Sequence, residues 1–584
     1  MPEIRWNLES IYPSIESEEY AADKEELVSL SSKVAGLLDT VGGPESGESS
    51  SWLPDVVAAF ERLMDLSSNL GSYVHAVWST DTGDETAQAE VDDLELRNLV
   101  LKDALVRFRA AVPDGEVGAE LASHRFWLEE QRLWGAHQMS RAEEEVAADL
   151  QRSGGDAWDR LHGKLSSQIS RPWDGGTATL TELRAKAFDP DRTIRRRAWM
   201  EECAALKDAE IPFAAALNGV KGTSISLNAR RGWGSTLEKS LVQNRLSRTA
   251  LDAMLGVMTR SLPIFRRYFR AKARMLGLER LSWYDLFAPV GRNTERWTWE
   301  RCTEFIPTMF DTLTPAKGDF ARRAFAEGWI DAEPREGKVG GAYCTDFPLA
   351  GGGESRILCN FNGSFDSVST VAHELGHAWH GEVMKDMGAL ERDYPMTLAE
   401  TASIFAETLV FRAALAEAAE SSRAAILDTY LVGASQVIVD ILSRFRFESA
   451  LMRRRESGEL SPRELRAMML DAQQAAYGDV LDPDERHPWM WAVKGHYYSP
   501  DLAFYNFPYA FGQLFSLGLF ARFRGEGSAF AEDYAALLRR TGSDDAVGVA
   551  RSAGFDIEQP EFWLRGMASV EELVGEFEAL QPSS

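Results

Sequence analysis

Cysteine is scarce: four in 584 residues, Cys203, Cys302, Cys344 and Cys359, lie far apart with no CxxC pair. That spacing excludes a disulfide framework and a thiolate zinc site, and reduced thiols are expected. A long hydrophobic run is also missing. The start, MPEIRWNLES, has no apolar segment, and the most apolar later stretch, YAFGQLFSLGLFARF, is broken by Gly, Gln and Ser before it reaches membrane-spanning length. The expectation is a cytoplasmic protein with no membrane partner. Positive charge is in deficit, with 63 Lys and Arg against 90 Asp and Glu and a formal net charge of -27. A surface of that sign repels phosphate backbones and anionic lipid, which argues against nucleic acid as a partner. No repeat of fixed period and no low-complexity block stands out.

What is present is ordinary globular composition, 45% hydrophobic and 26% charged, in a chain longer than one core usually supports. Residues 17 to 40 and 52 to 170 read mostly as amphipathic helices, separated by a Gly/Ser/Pro loop at VGGPESGESSS, residues 41 to 51. The helical rhythm breaks at RPWDGGTATLTELR, residues 171 to 184. This predicts a first, helical domain over 1–175 and a second over 176–584. Within the second, GAYCTDF and SRILCNF read as two short strands joined by the AGGGE turn, followed by a helix over 367 to about 386 with Asp366 as its cap.

Histidine is nearly as rare as cysteine, nine in all, yet three fall inside VAHELGHAWH, residues 371 to 380. On a helix, His373 and His377 project from one face about one turn apart, a separation that one metal ion bridges. Glu374 lies beside the first imidazole, placed to hold a water without being a ligand itself. The string is HExxH, the signature of zinc peptidases. A third ligand is still needed, and Glu400, 23 residues after His377 in the helical pattern MTLAETASIFAETLVF, sits among apolar residues where an unpaired carboxylate would be costly. Glu407, two turns further on, is placed either to accept an imidazole N–H or to be an ordinary surface glutamate. His380 follows His377 by one turn. A fourth protein ligand would close the site, so it reads as cleft lining or packing.

One further segment, HPWMWAVKGHYYSPDLAFYNFPYAFGQ, carries His487, His496 and the tyrosines Tyr497, Tyr498, Tyr505 and Tyr509. Tyr505 and Tyr509 are four apart, so a helix would point both hydroxyls one way. Peptide hydrolysis develops an oxyanion that neutral Tyr O–H and His N–H donors stabilise, whereas tyrosines alone would read as core.

Together these residues resemble the thimet-oligopeptidase-like zinc metallopeptidases, in particular their bacterial oligoendopeptidase F branch. WNLESIYPS, DPDRTIRRRAWMEECAAL, RILCNFNGSFDSVSTVAHELGHAWH, PMTLAETASIFAET and FYNFPYAFG follow in order, so the likeness spans essentially the whole chain. It implies one Zn2+ per chain on His373, His377 and Glu400, with Glu374 as general base towards a water at the metal. His496, Tyr505 and Tyr509 would be the substrate and oxyanion donors. The SPDLA stretch between His496 and Tyr505 leaves the individual tyrosine roles, including any for Tyr498, open. The implied fold is mostly α, a two-lobed helical shell with a deep substrate channel and a small β-sheet beside the HExxH helix, whose edge strand pairs with an extended peptide. The implied activity is endopeptidase action on internal bonds of short unfolded oligopeptides. Two alternatives remain at this stage. One is a zinc carboxypeptidase of similar helical fold, needing a basic clamp such as Arg356 or Lys494. The other is a catalytically silent peptide-binding protein.

Overall fold

A computed structural model describes residues 4–41, 50–115, 118–291 and 296–580. Most of the loop expected at 41 to 51 lies outside these residues. The chain divides into two compact units: Met1–Gln138 with Glu295–Ala414 and Leu519–Phe555, and Met139–Thr294 with Leu415–Gly518 and Asp556–Ser584. Each is assembled from three separated stretches, and residue 175 falls inside the second.

The first unit begins with the helices Glu18–Leu38, Leu53–Thr80, Glu85–Ala111 and Arg125–Ala136. Their three-to-four spacing buries Leu63, Leu66 and Leu70 on one face of the second helix. Phe60, Phe108 and Trp127 pack together in the same core, with ring centroids 5.1 to 5.7 Å apart. Each such side chain contributes about 1.5–3 kcal/mol on burial.

The second unit is also helical, with Arg192–Asp208, Glu210–Arg230, Arg248–Met275, Ile441–Arg455 and Pro560–Ala579 among its longer helices. Its one described sheet is a hairpin of β1 (Ser170–Trp173) and β2 (Gly176–Thr179). Asp174 and Gly175 both have positive φ, 47° and 84°, which a two-residue turn of this hand requires. The break at 171 to 184 thus holds this hairpin and most of the short helix Leu180–Ala185. Glu420–Arg455 is long and apolar enough by composition to cross a membrane, and 61% of its apolar window is buried inside the protein.

A second sheet belongs to the first unit. β4 (Tyr343–Phe347) and β5 (Glu354–Leu358) pair antiparallel from Tyr343↔Leu358 to Phe347↔Glu354, the two strands expected. β3 (Ile330–Asp331), a two-residue strand parallel to β5 and too short to show a pattern in the sequence, gives the order β3-β5-β4. β4 is thus an edge, hydrogen-bonded to a strand on one side only among the described residues. The sheet packs on the helix Phe365–Met384, called the motif helix below. That helix begins earlier than expected. Its cap is Ser364, accepting from the Ser367 N–H at 3.2 Å, and not Asp366, which falls within the first turn.

One core feature of the first unit works against stability. The Lys317 ammonium is fully buried with no hydrogen-bond partner among the described residues, 4.5 Å over the Phe310 ring and near those of Phe405 and Tyr534. Burial pushes its pKa down from 10.5 to about 7. Below pH 7 both folded and unfolded chains are protonated and the full cost of the buried charge applies. Between about 7 and 10.5 the folded state has lost the proton while the unfolded state keeps it, so stability rises with pH. Lys317→Met is expected to raise the melting temperature at neutral pH, by on the order of a few kcal/mol in stability, with the gain shrinking towards pH 10. Thermal melts of both proteins across pH 6 to 10 check it. A gain that does not change with pH contradicts this account.

Candidate active site

The motif helix is followed by a short helix, Ala389–Arg392, and then by Met396–Glu417. The two long helices run antiparallel, with His373 beside Glu407, Gly376 beside Ser403 and His377 beside Glu400. Gly376, the second free position of HExxH, is what lets them meet. A Cβ there would lie 2.5 Å from the Ser403 Cα and 2.6 Å from the Ala402 carbonyl oxygen. The sequence reading passed over it. Gly376→Ala is expected to push the helices apart, costing about 1–3 kcal/mol as overpacking and loosening metal retention. A melt and a zinc determination on the same sample check both effects.

This approach brings the His373 Nε2 to 3.3 Å and the His377 Nε2 to 3.6 Å from one oxygen, Glu400 Oε2. Metal–ligand bonds of about 2.0–2.1 Å at tetrahedral angles place neighbouring ligand atoms about 3.3–3.4 Å apart, so these spacings match two edges of a zinc tetrahedron. His373, His377 and Glu400 form the one group of three such donors, all within 4.8 Å of one another, among the described residues. The donor set therefore fits a zinc ion. Ser403 donates to Glu400 Oε2 at 2.8 Å and fixes that carboxylate. Glu407 Oε2 lies 3.2 Å from His373 Nδ1, and its other oxygen accepts from Ser369 at 3.3 Å, so it orients the imidazole.

The carboxylates and burial together shift the titrating groups of this cluster. Burial works against a charged His373, yet the carboxylates of Glu400 and Glu407 outweigh it and hold that imidazole well above its usual range. His377 moves the other way, down to about 4, through burial and the charge on His373. Burial, opposed by His373 and reinforced by Glu400 and Glu407, pushes the buried Glu374 carboxyl up to about 7.

His380 is placed elsewhere. It is fully buried, with its ring stacked 4.3 Å from Tyr394 and its Nε2 2.9 Å from the Thr541 hydroxyl. It packs the helix and takes no part in the donor set.

The remaining expected residues belong to the second unit. Tyr505 lies just before the helix Phe507–Glu526 rather than on it, because Phe504 adopts a left-handed conformation at φ 56°. The shared-helix expectation for Tyr505 and Tyr509 is thus corrected, yet their hydroxyls still meet at 2.7 Å. The Tyr505 ring stacks on His496 at 5.6 Å. Asn506, unnoticed in the sequence, settles the tautomer of that histidine. Its Oδ1 accepts from Arg444 at 2.9 Å, which turns its amide nitrogen towards His496 Nε2 at 2.7 Å and leaves the ring proton on Nδ1. Burial, with Arg444, Lys494 and Lys221 nearby, pushes His496 down to about 3, so it is a neutral donor. Tyr497 and Tyr498 are core residues, the latter stacked 3.7 Å from His162.

Known proteins resemble this chain over most of its length. The family model described as peptidase family M3 matches residues 187–569, more than half of the chain, and the one described as oligopeptidase F matches 117–170. Oligopeptidase PepF of Bacillus subtilis is 24% identical over 99% of this chain and 87% of its own length. Group B oligopeptidase PepB of Streptococcus agalactiae is 25% identical over 67% of this chain, which spans 64% of that protein. Among solved structures, one from Chlamydophila abortus covers 100% of this chain and 99% of its own at a TM-score of 0.82 and 20% identity. The oligoendopeptidase-F of Enterococcus faecium covers 96% and 98% at 0.69 and 20%. Both likenesses establish the fold.

Proposed function

Because the chain belongs to peptidase family M3, we propose that it is a zinc-dependent endopeptidase, holding one ion on His373, His377 and Glu400 and hydrolysing internal bonds of short unfolded oligopeptides. The observation that carries this reading is the convergence of three donors on the spacing of a zinc tetrahedron, with the Glu374 carboxylate beside them and outside the set. When bound, the ion supplies Lewis acidity towards the scissile carbonyl and lowers the pKa of water.

The chain's own residues do the rest. The backbone of edge strand β4 pairs with the extended peptide and fixes its direction. The Glu374 carboxylate accepts a proton from the attacking water and returns it to the leaving amine. The Nδ1–H of His496 and the hydroxyls of Tyr505 and Tyr509 donate to the substrate where negative charge develops.

Endopeptidase action is preferred to carboxypeptidase action because Arg356, one of the two clamps available to the latter, is already engaged. It is 1% exposed and donates to the Asn7 and Ser355 carbonyls, Ser10 and Glu354 at 2.7 to 2.9 Å. Lys494 is pushed down to about 7 by burial and Arg444, and so is a weak carboxylate clamp at neutral pH. Metal analysis tests the ligand set. About one zinc per chain is expected in the wild type, with strong loss in Glu400→Ala; full occupancy in that variant removes Glu400 from the metal.

A further inference from the structure

The first unit contains a cavity of about 300 Å³ that none of His373, Glu374, His377 or Glu400 lines. Its wall is shared by β4, the motif helix and the segment just before Met396. That size suits a small organic molecule.

Its most telling residue is Asp346, on β4. One oxygen accepts from Ser355 at 2.7 Å, and no ion pair to this carboxylate is present among the described residues. The missing side chain of Gly381 on the motif helix makes its room, since a Cβ there would lie 2.9 Å from Asp346 Oδ1. The cations that line the cavity are committed elsewhere. Arg392 is paired with Asp65 and donates to the Met387 carbonyl, and Lys385 donates to Glu382 at 2.9 Å. Arg356, behind the wall, is paired with Glu354 at 2.9 Å. Burial pushes the Asp346 carboxyl up, with only partial relief from Ser355 and the more distant Arg392. A carboxylate so placed gains most from a cation brought in from solution.

The rest of the lining gives that cation its body. Tyr394 lies beside Asp346, one face stacked on His380, while Phe320, Trp329 and Met384 supply apolar surface. A bare metal ion is a poor match, because no three-donor set occurs here among the described residues. We propose that this cavity binds a small organic cation, an ammonium or guanidinium group on a compact apolar body, with its charged head on Asp346.

Calorimetric titration of the purified protein with 2-phenylethylammonium tests it, with 3-phenylpropionate and 2-phenylethanol as the anionic and neutral controls. The ammonium is expected to bind saturably at one site and the two controls not to bind. Asp346→Asn should weaken binding at least tenfold, and so should Ser68→Phe, which adds a ring to the lining and leaves the Asp346 side chain unsubstituted. Absence of saturable binding to the wild type overturns the proposal, as does binding of the controls with equal strength. If Asp346→Asn does not fold, an affinity unchanged by Ser68→Phe is sufficient to overturn it. The readout is heat, so the result stands apart from whether the zinc site works as proposed.

Discussion

Glu374→Gln is expected to lower peptide hydrolysis by about 10²- to 10⁴-fold while zinc content stays at that of the wild type. The amide keeps the size and the buried position of the carboxylate but cannot take a proton from water. Glu374 stands outside the three-donor set, so the set is left intact. Turnover and metal content are therefore expected to separate cleanly in this variant. Zinc analysis and steady-state kinetics on one preparation check both halves. Near wild-type turnover shows that Glu374 is not the base, and loss of zinc shows that the carboxylate supports the metal.

The second large effect concerns the donors of the second unit. Tyr505→Phe and Tyr509→Phe each remove one member of a hydroxyl pair that meets at 2.7 Å, leaving the rings in place. A donor to the transition state is expected to lower kcat on the order of 100-fold with little change in KM. A tyrosine that only packs would lower the melting temperature and leave kcat alone. His496→Ala should behave as the donors do. Asn506→Asp should be intermediate, because a carboxylate facing Nε2 favours the other tautomer or a charged ring and costs the Nδ1 proton its fixed place. If all four variants are kinetically silent, the segment is packing.

The features legible in the sequence are those set by local periodicity. The four-residue spacing of His373 and His377 is a property of any α-helix, and the alternation of GAYCTDF and SRILCNF around a glycine turn specifies a hairpin without reference to the rest of the chain. The position of Glu400 beside the two imidazoles accords with its setting, because a carboxylate among buried residues needs a partner. What escaped notice depends on contacts distant in sequence, or on single backbone conformations. Gly376 matters only because Ser403 comes against it. Asn506 matters because Arg444, 62 residues away, turns its amide. The Asp174–Gly175 turn carried a hairpin signal that was read as a plain break, and the left-handed Phe504 that displaces Tyr505 from its helix has no sequence signature. Two units each assembled from three stretches are likewise invisible to composition, since composition changes along the chain say nothing of which stretches return to one another.

Metal-dependent cleavage at internal bonds is tested on peptides blocked at both ends. A mixture of peptides of about ten residues, acetylated at one end and amidated at the other, is digested and the products are weighed by mass spectrometry. The digestion is repeated after chelation and again after zinc is restored. Internal cleavage of the blocked peptides, abolished by chelator and recovered with zinc, is the predicted result. Cleavage that requires a free carboxyl terminus, or that continues unchanged in the metal-free protein, contradicts it.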